Sequence, residues 1–557
     1  MSIPATLLRR SPDTALAGAE NVERVCNQRE LATPQSSRPL DVQFVDLSYT
    51  TYEMGALYKA ALNAKVYLSP HELHLGFRYM VATLRSQGFR ADILYQDGRP
   101  GTATEDDLLQ IIMKTKPRIL GFGSYEGSLG ETLQFVRRVR ATGSRSLICL
   151  GGHLATFSCE DILHSFHDLI DVVVLGEGEH TIVELAQAVN RNQPVQAIPG
   201  IAYYDDGQIV RTQPRRVERD LNCFPFPAVP ARNDLSDKEA PLFVITSRGC
   251  YGRCSFCRTS QLGDSWRPRD PKNVVDEFEH AYSLGVNVFE IVDDNFIGPG
   301  KQGKARATAI AGELGRRNLP IRFHASCRVN DVDEYTMLAL KGSGLISVSL
   351  GVESGLQRVL DFFNKHTSVA QNLAAVEILD RLNIGVTVYF IFFDPYMTLA
   401  EAHDNIAFLR SLNSYPQVRF ERVIFRKLIP VSGTAIFDRL RSDRLLRGNP
   451  FDGHYFDFKD WRVALLSEFM ESVDLRGESI LCQQPFHDLK GLYRWFKTSF
   501  EFGLAELAVD LLARTRSNET EARSELEHLL SRSLRSAFCR EADMTATTTT
   551  NEPLYGQ

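Results

Sequence analysis

Short apolar runs alternate with segments of helical periodicity through residues 41–190. Five runs have the length of strands and show no regular polar alternation: DVQFVDLSY, RADILYQ, RILGFGSYE, SLICLGGH and DVVVLGEG. Between the first two runs, apolar residues recur at helical spacing from Leu73 to Leu84, and Gly88 follows as a C-cap residue. Apolar strands that alternate with helices are typical of a parallel sheet covered on both faces. The pattern predicts an α/β fold that begins with a Rossmann-like, doubly wound domain over residues 41–190.

The alternation stops at residues 191–240 and restarts at residue 241. The interruption contains IPGIAYYDDGQIVRT, which predicts a hairpin turning at Asp206 and Gly207, and then the proline-rich CFPFPAVPAR. We interpret it as a linker. Six apolar runs follow: LFVITS, NVFEIVDD, IRFHASC, ISVSLGV, GVTVYFIFF and VRFERVIFRKLI. Six such units predict a partial or complete βα barrel of the TIM type over residues 241–440, with its working end at the C-terminal ends of the strands.

The ends of the chain and the region after the barrel differ in character. Residues 1–40 and 541–557 are polar or low in complexity, and we expect a disordered leader and tail. Residues 441–540 predict a mostly helical region whose aromatic residues either form helix core or cap the barrel mouth and select substrate. These aromatic residues are Trp461, Tyr493, Trp495 and Phe496.

Composition excludes two classes of protein. The 557 residues carry 63 basic against 69 acidic side chains, a net charge of −6, so the basic excess of a nucleic-acid-binding protein is missing. The chain has neither a secretory signal nor an apolar stretch near the ~20 residues that span a bilayer. We therefore expect a cytoplasmic protein without a membrane span or a nucleic-acid partner.

Three of the ten cysteines form a cluster, Cys250, Cys254 and Cys257, directly after the first run of the predicted barrel. A structural zinc site needs four ligands, and no second pair follows at zinc-finger distance. A disulfide disagrees with the odd count and with a reducing compartment. Three thiolates can instead hold three irons of a 4Fe-4S cluster and leave the fourth iron open.

The stretch GCYGRCSFC, with Phe256 before its last cysteine, resembles the signature of the radical S-adenosylmethionine (SAM) superfamily. The resemblance implies that Cys250, Cys254 and Cys257 bind the cluster and that SAM chelates the open iron. One electron from a reductant such as flavodoxin or ferredoxin would then release a 5′-deoxyadenosyl radical. Cys327 is expected to be a small buried hydrophobe and not a ligand.

The same resemblance suggests further SAM contacts at the ends of the barrel strands. Groups that bind SAM in the family correspond to positions in EIVDDNF, ASCRVN and GVES. The candidates are Phe256, Asp293, Asp294, Asn295, Arg328, Glu353 and Ser354. Glu353 has an alternative role as a capping or salt-bridge carboxylate. The loop FIFFDPYMT keeps Pro395 and Thr398 of a family turn but lacks its glycines, and we expect it to reach toward the substrate.

Three glycine-containing strand ends in the first domain resemble the cobalamin-binding subclass of this superfamily. They are GFGSYEGS, LGGHLAT and VLGEGEHT, and glycine there lets the backbone approach a flat ligand and its nucleotide tail. The candidate contacts are Ser124, Gly151, Gly152, His153, Gly176, Glu177 and Gly178. The Asp-x-His-x-x-Gly motif of many cobalamin enzymes is absent, so a lower axial histidine is not expected. His71 and His74 are expected to begin a helix at the surface, and His153 to contact the corrin edge or tail.

These features predict a cobalamin-dependent radical SAM C-methyltransferase. It would use a 4Fe-4S cluster, SAM and cobalamin and act on a small-molecule or peptide intermediate, with antibiotic biosynthesis the expected setting. No catalytic residue is assigned. Two alternatives stay open: ring contraction, cyclisation or rearrangement with the same cofactors, and a regulatory corrinoid- or metal-binding module without enzymatic activity.

Overall fold

The computed structural model describes residues 40–47, 75–96, 103–124, 129–227, 229, 241–261, 265–420, 425–483, 496–515 and 518–538. The predicted leader and tail, His71, His74, Tyr493 and Trp495 lie outside these residues. Among the described helices, none combines the length and the apolar character needed to cross a bilayer.

The first domain is built on a seven-stranded sheet. Its strands are β1 Val42–Leu47, β2 Ala91–Gln96, β3 Ile119–Gly123, β4 Leu147–Gly151, β5 Val172–Val174, β6 Ile201–Asp205 and β7 Gln208–Arg211. Their order is β2-β1-β3-β4-β5-β6-β7, parallel from β2 to β5. The hairpin β6–β7 turns at Asp206 and Gly207, as expected, but it pairs antiparallel with β5. This hairpin, which we interpreted as part of the linker, therefore belongs to the first sheet.

Helices cover both faces of this sheet. They are α1 Leu75–Ser86, α2 Glu105–Thr115, α3 Leu129–Ala141, α4 His153–Phe157, α5 Cys159–Phe166 and α6 Glu179–Asn190. Alternate residues of each strand enter two separate cores, one with α1 and α6 and the other with α2, α3 and α5. Phe44, for example, stacks on Phe77 of α1, while its neighbour Val45 faces the other core. The doubly wound fold predicted from the apolar strands is confirmed.

The second domain is a partial barrel of six parallel strands. They are β8 Leu242–Val244, β11 Val288–Ile291, β12 Arg322–Arg328, β13 Leu345–Glu353, β14 Gly385–Phe390 and β15 Val418–Arg419, adjacent in sequence order. Two short strands, β9 Ser247–Arg248 and β10 Arg267–Pro268, pair antiparallel after β8. The intervening helices are α7 Pro271–Ser283, α8 Gly300–Arg316, α9 Glu334–Gly342, α10 Gln357–Phe362, α11 Val369–Arg381 and α12 Leu399–Asn413.

Alternate residues of these strands have different surroundings. On β12, Phe323, Ala325 and Cys327 are buried in the core with the helices, so Cys327 is the buried residue that we expected. His324 and Ser326 lie on the opposite, inner face and are only partly buried. The inner face of the barrel therefore carries polar side chains that are partly accessible.

The chain after the barrel is mostly helical. It comprises α13 Ala435–Ser442, the hairpin β16 Leu446–Asn449 with β17 Gly453–Phe456, α14 Trp461–Gln483, a π-helical turn at Phe496–Phe500, α15 Glu501–Arg514 and α16 Glu519–Phe538. Its apolar residues join the core of the barrel. Phe496 is fully buried and Trp461 packs against the same core, which favours helix core over a cap at the barrel mouth.

Candidate functional site

The cysteine loop lies between β9 and β10, at the C-terminal end of the first barrel strand. Cys254 is buried, and Cys250 and Cys257 are half-buried. The loop is fixed by hydrogen bonds from Ser255 N and Ser255 Oγ to the carbonyls of Phe363 and Phe362, both 2.8 Å. Burial first, and the neighbouring charge of Cys254 further down, raise the pKa of Cys250 and Cys257. The three thiols thus lie near one another on a fixed loop.

Arg328, at the end of β12, holds this loop from the inside of the barrel. Its Nη1 donates to Cys254 Sγ at 3.2 Å, its Nη2 donates to the Lys365 carbonyl, and its guanidinium lies 5.4 Å from the Tyr251 ring centre. A Cβ at Gly252 would overlap Arg328 Nη1, so a side chain there would displace the guanidinium from this contact. Arg328 contacts a cysteine thiol directly, a contact that the sequence pattern did not predict.

Glu353 ends β13 in a left-handed conformation with φ of 64°. Such a backbone costs of order 1–3 kcal/mol in a residue other than glycine, and surrounding contacts must hold it. Lys365 Nζ does so by donating to Glu353 Oε1 at 2.8 Å, and both side chains are buried. Ser354 is fully buried and donates to Asn405 Oδ1 at 3.4 Å, so it faces the helix layer.

The three polar residues after β11 have different surroundings. Asp293 is buried and accepts hydrogen bonds from Thr246 N at 2.6 Å and from the Thr246 and Ser247 hydroxyls. Asn295 is also buried, and its Nδ2 donates to Asp331 Oδ2 at 2.8 Å. Asp294 is exposed and accepts from Gly249 N at 3.2 Å. The structure therefore brings Asp294 to the cysteine loop and keeps Asp293 and Asn295 in the scaffold.

A cavity of about 300 Å³ lies between the cysteine loop and the C-terminal ends of the first sheet. Its first-domain wall combines glycine-rich strand ends with an apolar recess between the sheet, α1 and α6. The residues of that wall include Phe44, Phe77, Met80, Gly121, Gly123, Gly151, Gly152, His153, Val174, Gly176, Glu177, Gly178 and Ile182. The barrel contributes Ile245, Arg248, Gly249, Thr259, Arg267 and Asp294. Six of the seven first-domain candidates thus line one cavity.

Ser124 is the exception, because it is absent from the cavity wall. Its Oγ donates to the Gly151 carbonyl at 2.7 Å and accepts from Ala155 N at 2.8 Å. Ser124 therefore links the C-terminal ends of β3 and β4. Gly152 lies beside it with φ of 99°, and a Cβ there would come within 3.1 Å of the Ser124 carbonyl oxygen. The wall at this point is backbone, which leaves room for a ligand.

Ion pairs join the two domains across the cavity. Glu177 pairs with Arg267 at 2.6 Å and with Arg248 at 3.2 Å, and Arg248 also pairs with Glu179 at 2.6 Å. Burial acts to raise the pKa of Glu177, but the hydrogen bond from Arg267 and the charge of Arg248 lower it overall. Sequence reasoning missed Arg248 and Glu179. A basic residue two positions before Cys250 was the available signal.

Family models match both domains of the chain. Residues 60–186 match the B12 binding domain and residues 244–409 match the Radical SAM superfamily. An uncharacterized methyltransferase of Pyrococcus horikoshii, PH0819, is 28% identical over 378 residues, which cover 67% of this chain and 79% of that protein. The anaerobic magnesium-protoporphyrin IX monomethyl ester cyclase of Cereibacter sphaeroides is 28% identical over 325 residues. That match covers 56% of this chain and about half (52%) of the cyclase.

A solved structure has the same architecture over most of the chain. The cobalamin-dependent radical enzyme OxsB, with aqua-cobalamin and SAM bound, superposes with a TM-score of 0.71 at 18% identity, covering 93% of this chain and 82% of OxsB. At this identity the likeness shows the fold. Together with the two family matches, it confirms the fold class predicted from the sequence.

Proposed function

We propose that this chain, a cobalamin-dependent radical SAM enzyme, transfers a methyl group to a carbon atom of a small-molecule or peptide substrate. The observation that supports the proposal is the cavity, which is lined by glycine-rich strand ends of the first domain and by Gly249 and Thr259 of the cysteine loop. SAM, a 4Fe-4S cluster and cobalamin are the cofactors of these two domains. The regulatory alternative does not account for this shared cavity.

The residues around the cavity fit a corrinoid. A flat ring can lie on the backbone at Gly151, Gly152 and Gly176, and a nucleotide tail can enter the apolar recess beside Phe77. His153 is exposed at the start of α4 and lies at the rim, where it would contact the ring edge or tail.

Cys250, Cys254 and Cys257 would hold three irons of the cluster. When bound, these groups supply a 5′-deoxyadenosyl radical from one SAM and a transferable methyl group from another. Arg328 places a positive charge on Cys254 Sγ, which offsets the negative charge of a thiolate-bound cluster. Because Nη1 and Nη2 of its guanidinium are directed at Cys254 and Lys365, Arg328 would position the cluster loop and not bind SAM.

The remaining SAM candidates divide into two groups. Asp294 and the Glu353–Lys365 pair lie beside the cysteine loop or its Arg328 contact, where charged groups can receive the amine and carboxylate of SAM. Asp293, Asn295 and Ser354 are enclosed by protein partners. Phe256 packs edge to face on Phe363 at 5.0 Å and would shape the loop.

The inner face of the barrel favours a polar substrate. Ser326, Ser349 and Thr387 are registered neighbours on β12, β13 and β14, and all three are partly exposed. Tyr389, 44% exposed, lies one layer closer to the cysteine loop. Hydroxyl groups in one row can exchange hydrogen bonds with a substrate that carries several polar groups. An intermediate of a secondary metabolite such as an antibiotic fits this surface better than a hydrocarbon.

Similarity to the magnesium-protoporphyrin cyclase favours a second function with the same cofactors, namely cyclisation without methyl transfer. Anaerobic reaction with deuteromethyl-SAM and substrates suggested by neighbouring genes separates the two. Methyl transfer gives labelled product, 5′-deoxyadenosine and S-adenosylhomocysteine in equal amounts. A product without label supports cyclisation, and the Cys254→Ala variant, which cannot assemble the cluster, controls for background.

A further inference from the structure

A second cluster of metal-binding side chains lies outside the cavity and has no role in the proposed function. A ring nitrogen of His180, one Glu218 carboxylate oxygen and Cys223 Sγ all lie within 4.8 Å of one another. His180 is in the first turn of α6, Glu218 follows the β6–β7 hairpin, and Cys223 ends a 3-10 turn, Leu221–Cys223. Three separate segments thus bring an imidazole, a carboxylate and a thiol to one point.

Each donor is held in place by contacts of its own. Glu218 Oε1 accepts from Asp220 N at 3.0 Å, which leaves Oε2 directed at His180 Nε2, 3.3 Å away. The His180 ring packs 5.4 Å from the ring of Phe224. The turn that carries Cys223 is capped by Asp220 Oδ1, which accepts from Asn222 N at 3.1 Å. A site with anchored ligands loses little freedom when an ion binds.

Arginines surround the cluster: Arg211, Arg215 and Arg216 line the same pocket as His180 and Glu218, and the first two pair with Glu160 and Glu184. The nearby guanidinium of Arg248 is already engaged by two other carboxylates, Glu177 and Glu179. A thiolate and a carboxylate together balance the charge of a divalent ion.

We propose that His180, Glu218 and Cys223 form a zinc site that fastens the connector, residues 212–227 after β7, to the first domain. Thiolate, imidazole and carboxylate are the three donor types that zinc takes in proteins. With three protein ligands this site would be open, unlike the closed four-ligand site considered for the cysteine cluster, and a solvent molecule would take the fourth position. On binding, Cys223 loses its thiol proton to solvent and no electron is transferred. The site requires neither SAM nor cobalamin and is independent of the proposed reaction.

The position of the site gives it a structural consequence. The Glu218 carbonyl accepts from Arg267 Nη1, and Asn222 Oδ1 accepts from Asp270 N at 2.9 Å, so the connector also touches the barrel. Zinc would therefore link the connector, which contacts the barrel, to α6. We therefore expect bound zinc to stabilise the contact between the two domains that enclose the cavity.

The test uses the full chain with Cys250, Cys254 and Cys257 all changed to alanine, so that the cluster cysteines cannot bind zinc. One zinc per chain is expected by mass spectrometry of metals after removal of loose ions. Cobalt in its place should give a thiolate-to-metal absorption band. Cys223→Ser and His180→Asn should each weaken zinc binding at least tenfold, since even outer partners of metal ligands contribute 10–100-fold. His164→Asn, an exposed histidine on α5, is the matched control and should change nothing.

Zinc content and affinity unchanged in both Cys223→Ser and His180→Asn would overturn the proposal. A melting temperature that rises with added zinc in the parent, but not in Cys223→Ser, supports it independently of affinity. Iron and sulfide in the chain with intact cluster cysteines are measured separately. A failure of the zinc site is thereby distinguished from a failure of the cluster.

Discussion

Arg328 Nη1 lies 3.2 Å from Cys254 Sγ, and the guanidinium is buried. A fixed positive charge therefore contacts one of the three thiols proposed to bind the cluster. This contact depends on Gly252, where any side chain would occupy the space of the guanidinium. The end of the third barrel strand thus sets the electrostatic surroundings of the cluster loop.

Removal of this charge should make the cluster harder to reduce. A hydrogen bond to a charged group contributes roughly 1.5–3 kcal/mol, which corresponds to roughly 60–130 mV for one electron. We expect Arg328→Gln to lower the midpoint potential by about this amount, because the reduced cluster is the more negative state. Redox titration followed by electron paramagnetic resonance measures the shift. Arg328→Lys keeps the charge and should restore part of it, whereas equal potentials in all three proteins would contradict the assignment.

The buried pair Glu353–Lys365 should stabilise the barrel as a unit. Glu353→Gln leaves a buried ammonium without its carboxylate, a change that costs about 3–5 kcal/mol. We expect a lower unfolding temperature in this variant. The double variant Glu353→Gln/Lys365→Met removes both charges and should recover most of the loss. A double variant no more stable than the single one would show that the two charges do not stabilise the barrel as a pair.

A larger side chain at a glycine of the cavity wall should weaken corrinoid binding without unfolding the first domain. Gly178 lines the cavity, and a Cβ there meets the flexible end of Met80 at 2.9 Å. We expect Gly178→Leu to weaken cobalamin binding at least tenfold in equilibrium dialysis, because the side chain would occupy the ligand volume. Gly312→Leu, on an exposed position of α8 with open space around it, is the control. Equal affinity in both variants would place the corrinoid elsewhere.

The ion pairs of Glu177 should make the domain contact sensitive to acid. Its pKa lies below the ordinary value of 4.5, so its contribution to stability is complete above that value and is lost as the pH falls through the lowered pKa. Glu177→Gln should melt at a lower temperature than the parent at pH 7. The difference between the two should shrink below about pH 4.5. A melting-temperature difference that stays constant down to pH 3 would show that the Glu177 carboxylate is not its source.

The sequence predicted elements better than side-chain directions. Apolar strands and glycine-rich strand ends were sufficient for both domains, and six of the seven first-domain candidates line the cavity. The sequence did not predict which side chains after β11 face the cysteine loop. Asp294 contacts that loop, whereas Asp293 and Asn295, one residue away on either side, are buried and bonded to other parts of the barrel. The pairing of Arg248 with Glu177 depends on how two domains meet, which local patterns do not encode. The hairpin β6–β7 extends the first sheet beyond residue 190, and the limit at residue 241 stays a prediction.

Tracing the methyl group of SAM to the corrinoid is the most direct measurement, because it needs no substrate. The protein is loaded with iron, sulfide and cobalamin under anaerobic conditions, reduced, and incubated with deuteromethyl-SAM. The corrinoid is then extracted and its mass is measured by mass spectrometry. A methyltransferase should yield deuteromethyl-labelled corrinoid with an equal amount of S-adenosylhomocysteine, and the Gly178→Leu variant should yield much less. Consumption of SAM to 5′-deoxyadenosine alone, with an unlabelled corrinoid, would contradict methyl transfer.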